Sequence, residues 1–258
     1  FLPEDVYSTI KEAQDKEEWQ LASDILDKIL QNADIAKNDQ VPMCQDTGMA
    51  VVFVEMGQEV SIVNGYIEDA INQGIREGYE EGYLRKAVVG DPLNRVNTKD
   101  NTPGIIHYSI VPGDKLKITV APKGFGSENM SRLKMLKPAE GLEGVKDFVL
   151  ETVELAGPNP CPPIVVGVGI GGTMEKAAFL AKKSLMRSFD SYNENPFYAD
   201  LEKELLEKIN ELGIGPQGFG GKTTALRVFI EYYPTHIAGL PVAVNIQCHA
   251  ARHKEVVL

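Results

Sequence analysis

The chain has 258 residues, of which 43% are hydrophobic and 24% charged, so it can bury one large core or two smaller ones and is not a disordered or fibrous chain. Its formal net charge of −11 argues against nucleic acid or an anionic membrane as the main partner. No apolar run approaches the roughly 18 residues that a membrane-spanning helix needs, and no signal-peptide pattern is present at the start, so the sequence predicts a cytoplasmic protein.

The first third of the chain predicts helices on either side of one buried strand. In residues 1–40, apolar residues recur at helical spacing between charged faces. The run AVVFVEM, which follows CQDTG, is rich in strand-forming residues and predicts a buried strand. Residues 61–81 return to helical spacing and predict a further helix.

The middle of the chain predicts a β-hairpin. The run IIHYSIV is followed by Pro112-Gly113-Asp114 and then by apolar residues that alternate with polar ones from Leu116 to Val120. Residues 122–131 are rich in glycine and polar residues and are predicted as a loop, and residues 140–155 as a helix.

The last third predicts a buried strand IVVGV, helices over 173–187 and 197–211, a glycine-rich loop over 213–221, and the strands ALRVFIEYY and PVAVNIQ. Helices interleaved with paired and isolated strands predict an α/β fold with mixed sheets rather than a purely parallel sheet. Nothing marks a firm internal boundary, so residues 1–258 are interpreted as one domain.

Three cysteines carry the strongest chemical signal: Cys44 in PMCQDTG, Cys161 in NPCPPI and Cys248 in NIQCHAARH. Each lies on a segment whose glycine, proline or polar residues predict a turn with an accessible thiol. By residue type alone, a free cysteine is more often a small buried hydrophobic residue. A disulfide with one spare thiol is a second alternative, although an odd count fits a reducing compartment better. Three thiolates from remote segments are one short of the number that closes an iron–sulfur cluster, which leaves one iron open.

Two glycine-rich motifs imitate nucleotide-binding sequences. Residues 167–172 satisfy GxGxxG after a predicted strand. However, two predicted helices follow in succession and the nearest acidic candidate, Asp190, lies in a polar loop, so we predict no nicotinamide cofactor there. Residues 215–223 resemble a phosphate-binding P-loop, but its first glycine position is occupied by Pro216, which has no N–H to offer.

Five segments together resemble the α subunit, or N-terminal domain, of the oxygen-sensitive iron–sulfur hydro-lyases, namely the class I fumarases and their L-tartrate dehydratase relatives. They are PMCQDTG (42–48), NTPGIIHYSIVPGD (101–114), KGFGSENMSRLKML (123–136), NPCPPIVVGVGIGGTMEKAAFLAKKSL (159–185) and GPQGFGGKTTALRVFIEYYPTHIAGLPVAVNIQCHAARH (215–253). All three cysteines fall inside these segments. The resemblance implies the mixed α/β fold of that subunit and a [4Fe–4S] cluster on Cys44, Cys161 and Cys248, with one iron not ligated by cysteine.

The resemblance also implies roles for five further residues. Gln45 and Asp46 would reach the substrate, and Asp46 would act with His236 near the hydroxyl that leaves. Arg85 would help to hold a substrate carboxylate, and Gly126 would lend a backbone N–H. Asp46 and His236 are thus the predicted catalytic residues, and the other three are predicted to bind substrate.

The same resemblance implies a separate β subunit that completes the active site, a higher oligomer, and a small dicarboxylate substrate. The segments GGKTTAL and PTHIAGLPVAVNIQCHAARH are typical of the fumarase branch, so the predicted reaction is the reversible hydration of fumarate to L-malate. Dehydration of L-tartrate and hydration of mesaconate are the alternatives within the family. A non-catalytic iron–sulfur electron-transfer subunit is the alternative from a different class.

Overall fold

A computed structural model describes residues 1–258 and contains seven α-helices and eight strands. The helices are α1 (Glu4–Lys16), α2 (Gln20–Asp39), α3 (Ile67–Glu81), α4 (Phe125–Glu128), α5 (Gly141–Ala156), α6 (Met174–Ser184) and α7 (Pro196–Glu211). The strands are β1 (Met49–Gly57), β2 (Ile105–Val111), β3 (Leu116–Lys123), β4 (Arg132–Leu136), β5 (Ile164–Gly171), β6 (Ala225–Tyr233), β7 (Leu240–Gln247) and β8 (Lys254–Val257). No helix combines the length and the apolar character that a membrane crossing requires.

The chain forms two compact units, and neither is continuous in sequence. The first unit contains Phe1, residues 33–125 and residues 252–258, and the second contains residues 2–32 and 126–251. Each unit has one four-stranded sheet with both parallel and antiparallel neighbours. The predicted α/β class with mixed sheets is therefore confirmed.

The sheet of the first unit has the strand order β2-β1-β3-β8. Strand β1 is central and almost wholly buried, in agreement with its continuous apolar run. Helix α3 covers one face of the sheet, where Ile75 and Tyr79 pack with Ala50, Val52 and Val54 of β1. The C-terminal strand β8 closes the antiparallel edge beside β3.

The predicted hairpin is wrong in its pairing. Strands β2 and β3 both form, but β1 lies between them, parallel to β2 and antiparallel to β3. The end of β1 forms hydrogen bonds with both sides of the predicted turn. The N–H of Gly57 donates to Lys115 O at 2.8 Å, and that of Gln58 to Val111 O at 2.8 Å. A buried apolar strand takes the centre of a sheet, whereas β2, which is half-exposed, takes an edge.

Two further predictions differ from the structure in detail. Helix α3 begins at Ile67 and not at residue 61, because Asn64 adopts a left-handed backbone (φ 64°) that a helix cannot include. The predicted loop over 122–131 contains the single helical turn α4. The short strands β4 and β8 were missed because each has only four or five residues and little burial.

The second unit is built on a sheet of order β4-β7-β5-β6, in which β5 pairs in parallel with β6 and antiparallel with β7. Strand β5 is buried along its whole length, and the main core of the unit packs against it and its neighbours. All three cysteines lie outside the strands and helices, in loops.

Candidate functional site

In the first unit, the PMCQDTG segment forms a bent loop that leads directly into β1. Cys44 is half-buried, and its thiol donates to the backbone carbonyl of Asp46 at a distance of 3.6 Å. Gln45 is exposed and Asp46 is half-buried. Cys44, Gln45 and Asp46 are therefore presented together on one loop of this unit, as consecutive residues must be.

Buried side chains hold this loop in place. The hydroxyl of Tyr79 donates to Thr47 O at 2.8 Å, and the amide of Asn101 donates to Gly48 O at 3.2 Å. Asn101 also accepts from the N–H groups of Ala87 and Val88, at 2.7 and 3.2 Å, and is completely buried. Burial raises the pKa of Tyr79 to about 12, so its hydroxyl stays a donor.

The loop also lies tightly against the end of β3. A side chain at Gly48, whose φ is 70°, would meet the carbonyl oxygen of Lys123 at 2.3 Å, and one at Gly124 would lie 3.0 Å from Asp46 Oδ2. The guanidinium of Arg252 donates to the Asp46 carbonyl at 3.3 Å. The side chain of Asp46 is therefore placed over a glycine that leaves it room.

Arg85 is exposed, and the same loop fixes its backbone. The buried hydroxyl of Thr47 accepts from Arg85 N at 2.9 Å and donates to Arg85 O at 3.2 Å. The guanidinium is thus carried on a backbone position tied to the residue three places after Cys44. Sequence reasoning missed Thr47, Tyr79, Asn101 and Arg252. Thr47 lies in the CQDTG motif and Asn101 in the NTPG motif, but a motif does not show which hydrogen bonds its residues form.

In the second unit, Cys161 and Cys248 lie in the loops next to β5 and β7. Cys161 is exposed and has a left-handed backbone (φ 55°), and its N–H donates to Pro158 O at 3.1 Å. A non-glycine residue in this conformation costs roughly 1–2 kcal/mol, and such positions concentrate at functional sites. Cys248 is half-buried and follows β7 directly.

Gly126 and His236 also belong to the second unit. Gly126 is exposed within the helical turn α4. His236 is exposed in the turn between β6 and β7, and its Nδ1 accepts from the N–H of Ala238 at 3.2 Å. Since Nδ1 is an acceptor there, the proton of the neutral ring lies on Nε2, which faces away from this contact as a donor.

No group of three or more His, Cys, Asp or Glu side chains in the 258 residues is arranged to hold a metal ion. The donor chemistry nonetheless fits an iron–sulfur cluster. The chain's three thiols are all outside disulfides, none is fully buried, and each is on a loop. The cluster, the pairing of Asp46 with His236, and the substrate roles of Gln45, Arg85 and Gly126 stay predictions.

Comparison with known proteins decides the family. The sequence profile described as Fumarate hydratase (Fumerase) matches residues 1–257. The chain belongs to this family. A protein of Methanocaldococcus jannaschii, named provisionally as L(+)-tartrate dehydratase subunit alpha, is 49% identical over 98% of this chain and 90% of its own length. The L(+)-tartrate dehydratase subunit alpha of Escherichia coli K12 is 36% identical over 97% of this chain and 84% of its own.

The predicted family is therefore confirmed, and with it the class of hydro-lyase. In this member of the fumerase family, the GxGxxG glycines have a packing function. A side chain at Gly167 would meet Ala181 O at 2.2 Å, and one at Gly169 would meet Ala177 O at 2.0 Å. These glycines let α6 lie directly on β5, which explains the motif without a nucleotide.

A large apolar cavity is lined by none of the predicted site residues. It has a volume of about 680 Å³, belongs to the first unit, and is lined by apolar side chains of α3, β1 and β3. Tyr79 contributes to its wall while its hydroxyl holds the Cys44 loop. The cavity has few polar groups that could orient a dicarboxylate, so it does not fit that class of substrate.

Proposed function

We propose that the chain is the α subunit of a [4Fe–4S]-dependent hydro-lyase that acts, with a separate β subunit, on a small hydroxy dicarboxylate. The family match over residues 1–257 carries this proposal, together with the fact that the chain's only three cysteines are all outside disulfides. The naming of the two relatives as α subunits supports the separate partner.

Cys44, Cys161 and Cys248 would hold the cluster. When bound, its non-cysteine-ligated iron supplies a Lewis acid that withdraws charge from the C–O bond of the substrate hydroxyl. Such help is needed because hydroxide is a poor leaving group. The β subunit would supply the group that removes the C3 proton.

The chain's own residues would bind the substrate and transfer the proton with which the hydroxyl departs as water. The half-buried carboxylate of Asp46, held over Gly124, would act as the general acid–base group. His236 would donate a hydrogen bond from Nε2, since its Nδ1 is already occupied by the Ala238 N–H. Arg85, Gln45 and the backbone N–H of Gly126, all exposed, would bind the carboxylates.

L(+)-tartrate is the first candidate substrate. Both relatives, at 49% and 36% identity over nearly the whole chain, carry the name of an L(+)-tartrate dehydratase subunit. Their names favour this alternative over the fumarate that the sequence predicts. L-tartrate and L-malate differ by one hydroxyl at the carbon that loses its proton, and a site built to hydrogen-bond that hydroxyl discriminates strongly.

Fumarate and L-malate are the second candidate pair. The family description is that of fumarate hydratase, and the chain has intact GGKTTAL and PTHIAGLPVAVNIQCHAARH segments, which resemble the fumarase branch. Because loops position small substrates, sequence differences between the branches should act through these segments.

The deciding experiment measures kcat/KM of the complex reconstituted with its β subunit under strict anaerobiosis. L-tartrate, L-malate, fumarate and mesaconate are compared, and the chain without its partner is the control. We expect the highest kcat/KM on L-tartrate and no turnover without the partner. A preference for L-malate and fumarate would select the second candidate. Turnover by the chain alone, or redox cycling without hydration or dehydration of any of the four acids, would refute the proposal.

A further inference from the structure

The glycine-rich loop at 215–221, whose sequence resembles a P-loop, contacts the segment that carries Cys161. Gln217, at the centre of this loop, has a left-handed backbone (φ 53°). Its backbone N–H and its side-chain Nε2 both donate to the carbonyl of Pro162, each at 2.8 Å. One residue of the loop thus satisfies both lone pairs of the carbonyl that follows Cys161.

His249 binds the preceding carbonyl, which is that of Cys161 itself. Its Nδ1 lies 2.9 Å from Cys161 O and 3.3 Å from Gln217 Nε2. A carbonyl only accepts, so the 2.9 Å contact requires the ring proton to be on Nδ1. The Nε2 group of Gln217 therefore donates to the Pro162 carbonyl, and its longer contact with Nδ1 of His249 is a van der Waals contact.

The glycines of the loop allow it to approach this closely. A side chain at Gly218 (φ 81°) would meet Pro158 Cβ at 2.3 Å, and one at Gly215 would meet the carbonyl oxygen of Gly220 at 1.7 Å. The loop is itself fixed from behind, since a side chain at Gly220 would overlap the Trp19 ring at 2.3 Å. These contacts place the loop, and Gln217 within it, close to the segment of Pro158 to Pro162.

We propose that Gln217 and His249 are positioning residues that hold Cys161 in its left-handed conformation for cluster binding. His249 directly follows Cys248, so its hydrogen bond also ties the backbone of one predicted ligand to the segment of another. A ligand held in place before the cluster binds loses less conformational entropy on binding. The proposal rests on the cluster of the proposed function.

The test uses the full chain with Gln217→Leu and His249→Ala, which remove the donors. The matched controls are His249→Asn, whose amide nitrogen reproduces Nδ1, and His249→Gln, whose amide nitrogen is nearer to the place of Nε2. After anaerobic reconstitution, the loss of cluster absorbance to an iron chelator is timed. We expect loss roughly five- to tenfold faster in Gln217→Leu, His249→Ala and His249→Gln, and a rate close to wild type in His249→Asn. A merely structural role would not distinguish the Asn from the Gln variant.

A second measurement reads the same contacts without a cluster. Amide hydrogen exchange of the apo chain is compared between peptides that cover residues 158–164 and peptides from α5. We expect about fivefold faster exchange at 158–164 in Gln217→Leu and no change in α5. Wild-type rates of both exchange and cluster loss in Gln217→Leu and His249→Ala would overturn the proposal. If wild-type chain takes up no iron, the proposed function fails, and the exchange result alone then supports or overturns the positioning of Cys161.

Discussion

The loops of Cys44 and Cys161 are both irregular and both carry a predicted ligand, but different kinds of contact hold them. Buried side chains hold the Cys44 loop: Thr47, Tyr79 and Asn101 bond to its backbone and to that of its neighbours. A glycine-rich turn, residues 215–221, holds the Cys161 loop through its close approach to Pro158 and through the two bonds from Gln217 to the Pro162 carbonyl. The first loop should be most sensitive to loss of a buried side chain, and the second also to the addition of a side chain in the glycine-rich turn.

The largest effect is expected from Asn101→Ala. This change leaves the N–H groups of Ala87 and Val88 without their acceptor, removes one of the two bonds to the carbonyl of Gly48, and places alanine at φ 63°. We expect a loss of about 3–5 kcal/mol in the free energy of unfolding. Asn64→Ala is the matched control, because Asn64 is exposed at φ 64° and should lose only about 1 kcal/mol. Equal losses in urea unfolding would show that side-chain bonds do not hold the first loop.

Gly218→Ala tests the second loop. The added methyl group would overlap Pro158, and we expect a loss of about 2–4 kcal/mol from strain and overlap together. Gly213→Ala is the control, since Gly213 has φ 65° and open space around it and should lose about 1 kcal/mol. Equal stability of the two variants in thermal unfolding would show that the close approach of Gly218 to Pro158 does not hold the second loop.

Thr47→Val tests how the Cys44 loop fixes the backbone of Arg85. Valine keeps the shape of the buried Thr47 side chain but leaves the N–H of Arg85 without its acceptor, so the free energy of unfolding should fall by about 1–3 kcal/mol. If Arg85 binds a substrate carboxylate, KM of the reconstituted complex should rise with little change in kcat. Thr47→Ser retains the hydroxyl and should behave as wild type. A Ser variant as impaired as the Val variant would show that the Thr47 hydroxyl alone does not hold Arg85.

Tyr79→Phe should have the smallest effect at neutral pH, about 1 kcal/mol, because it removes one hydroxyl donor. Its pH dependence is more informative. The unfolded chain loses the tyrosine proton near pH 10, whereas the folded chain keeps it to about pH 12, so wild-type stability should fall between pH 10 and 12. The difference in stability between wild type and Tyr79→Phe should shrink over this range. A constant difference would mean that the hydroxyl is not buried in solution.

Hydrophobic periodicity predicted most helices and strands, because each element has a face or a run that must be buried. It did not predict that β1 lies between β2 and β3, since strand order depends on contacts remote in sequence. The two units could not be separated by a linker signal, because each is assembled from segments that are discontinuous in the chain.

In the candidate site, too, the sequence reveals local features but not contacts between remote segments. Motifs identified Cys44, Cys161 and Cys248, because a thiol on a turn is visible in the sequence. They did not identify Gln217 and His249, whose significance lies in two carbonyls that they bind across the fold. The mismatch of Pro216 to the P-loop pattern is visible in the sequence, but the reason for the glycines of this loop required the contact with Pro158.

The most direct test of the account is the iron and sulfide content of the wild-type chain and of the single variants Cys44→Ser, Cys161→Ser and Cys248→Ser after anaerobic reconstitution. The chain has no fourth cysteine that could replace a lost ligand. We expect about four irons and four sulfides per wild-type chain, loss of the cluster in each variant, and loss of all hydro-lyase activity in the complex that each variant forms with the β subunit. A variant that keeps full iron content and activity, or a wild-type chain that binds zinc and turns over without iron, would contradict it.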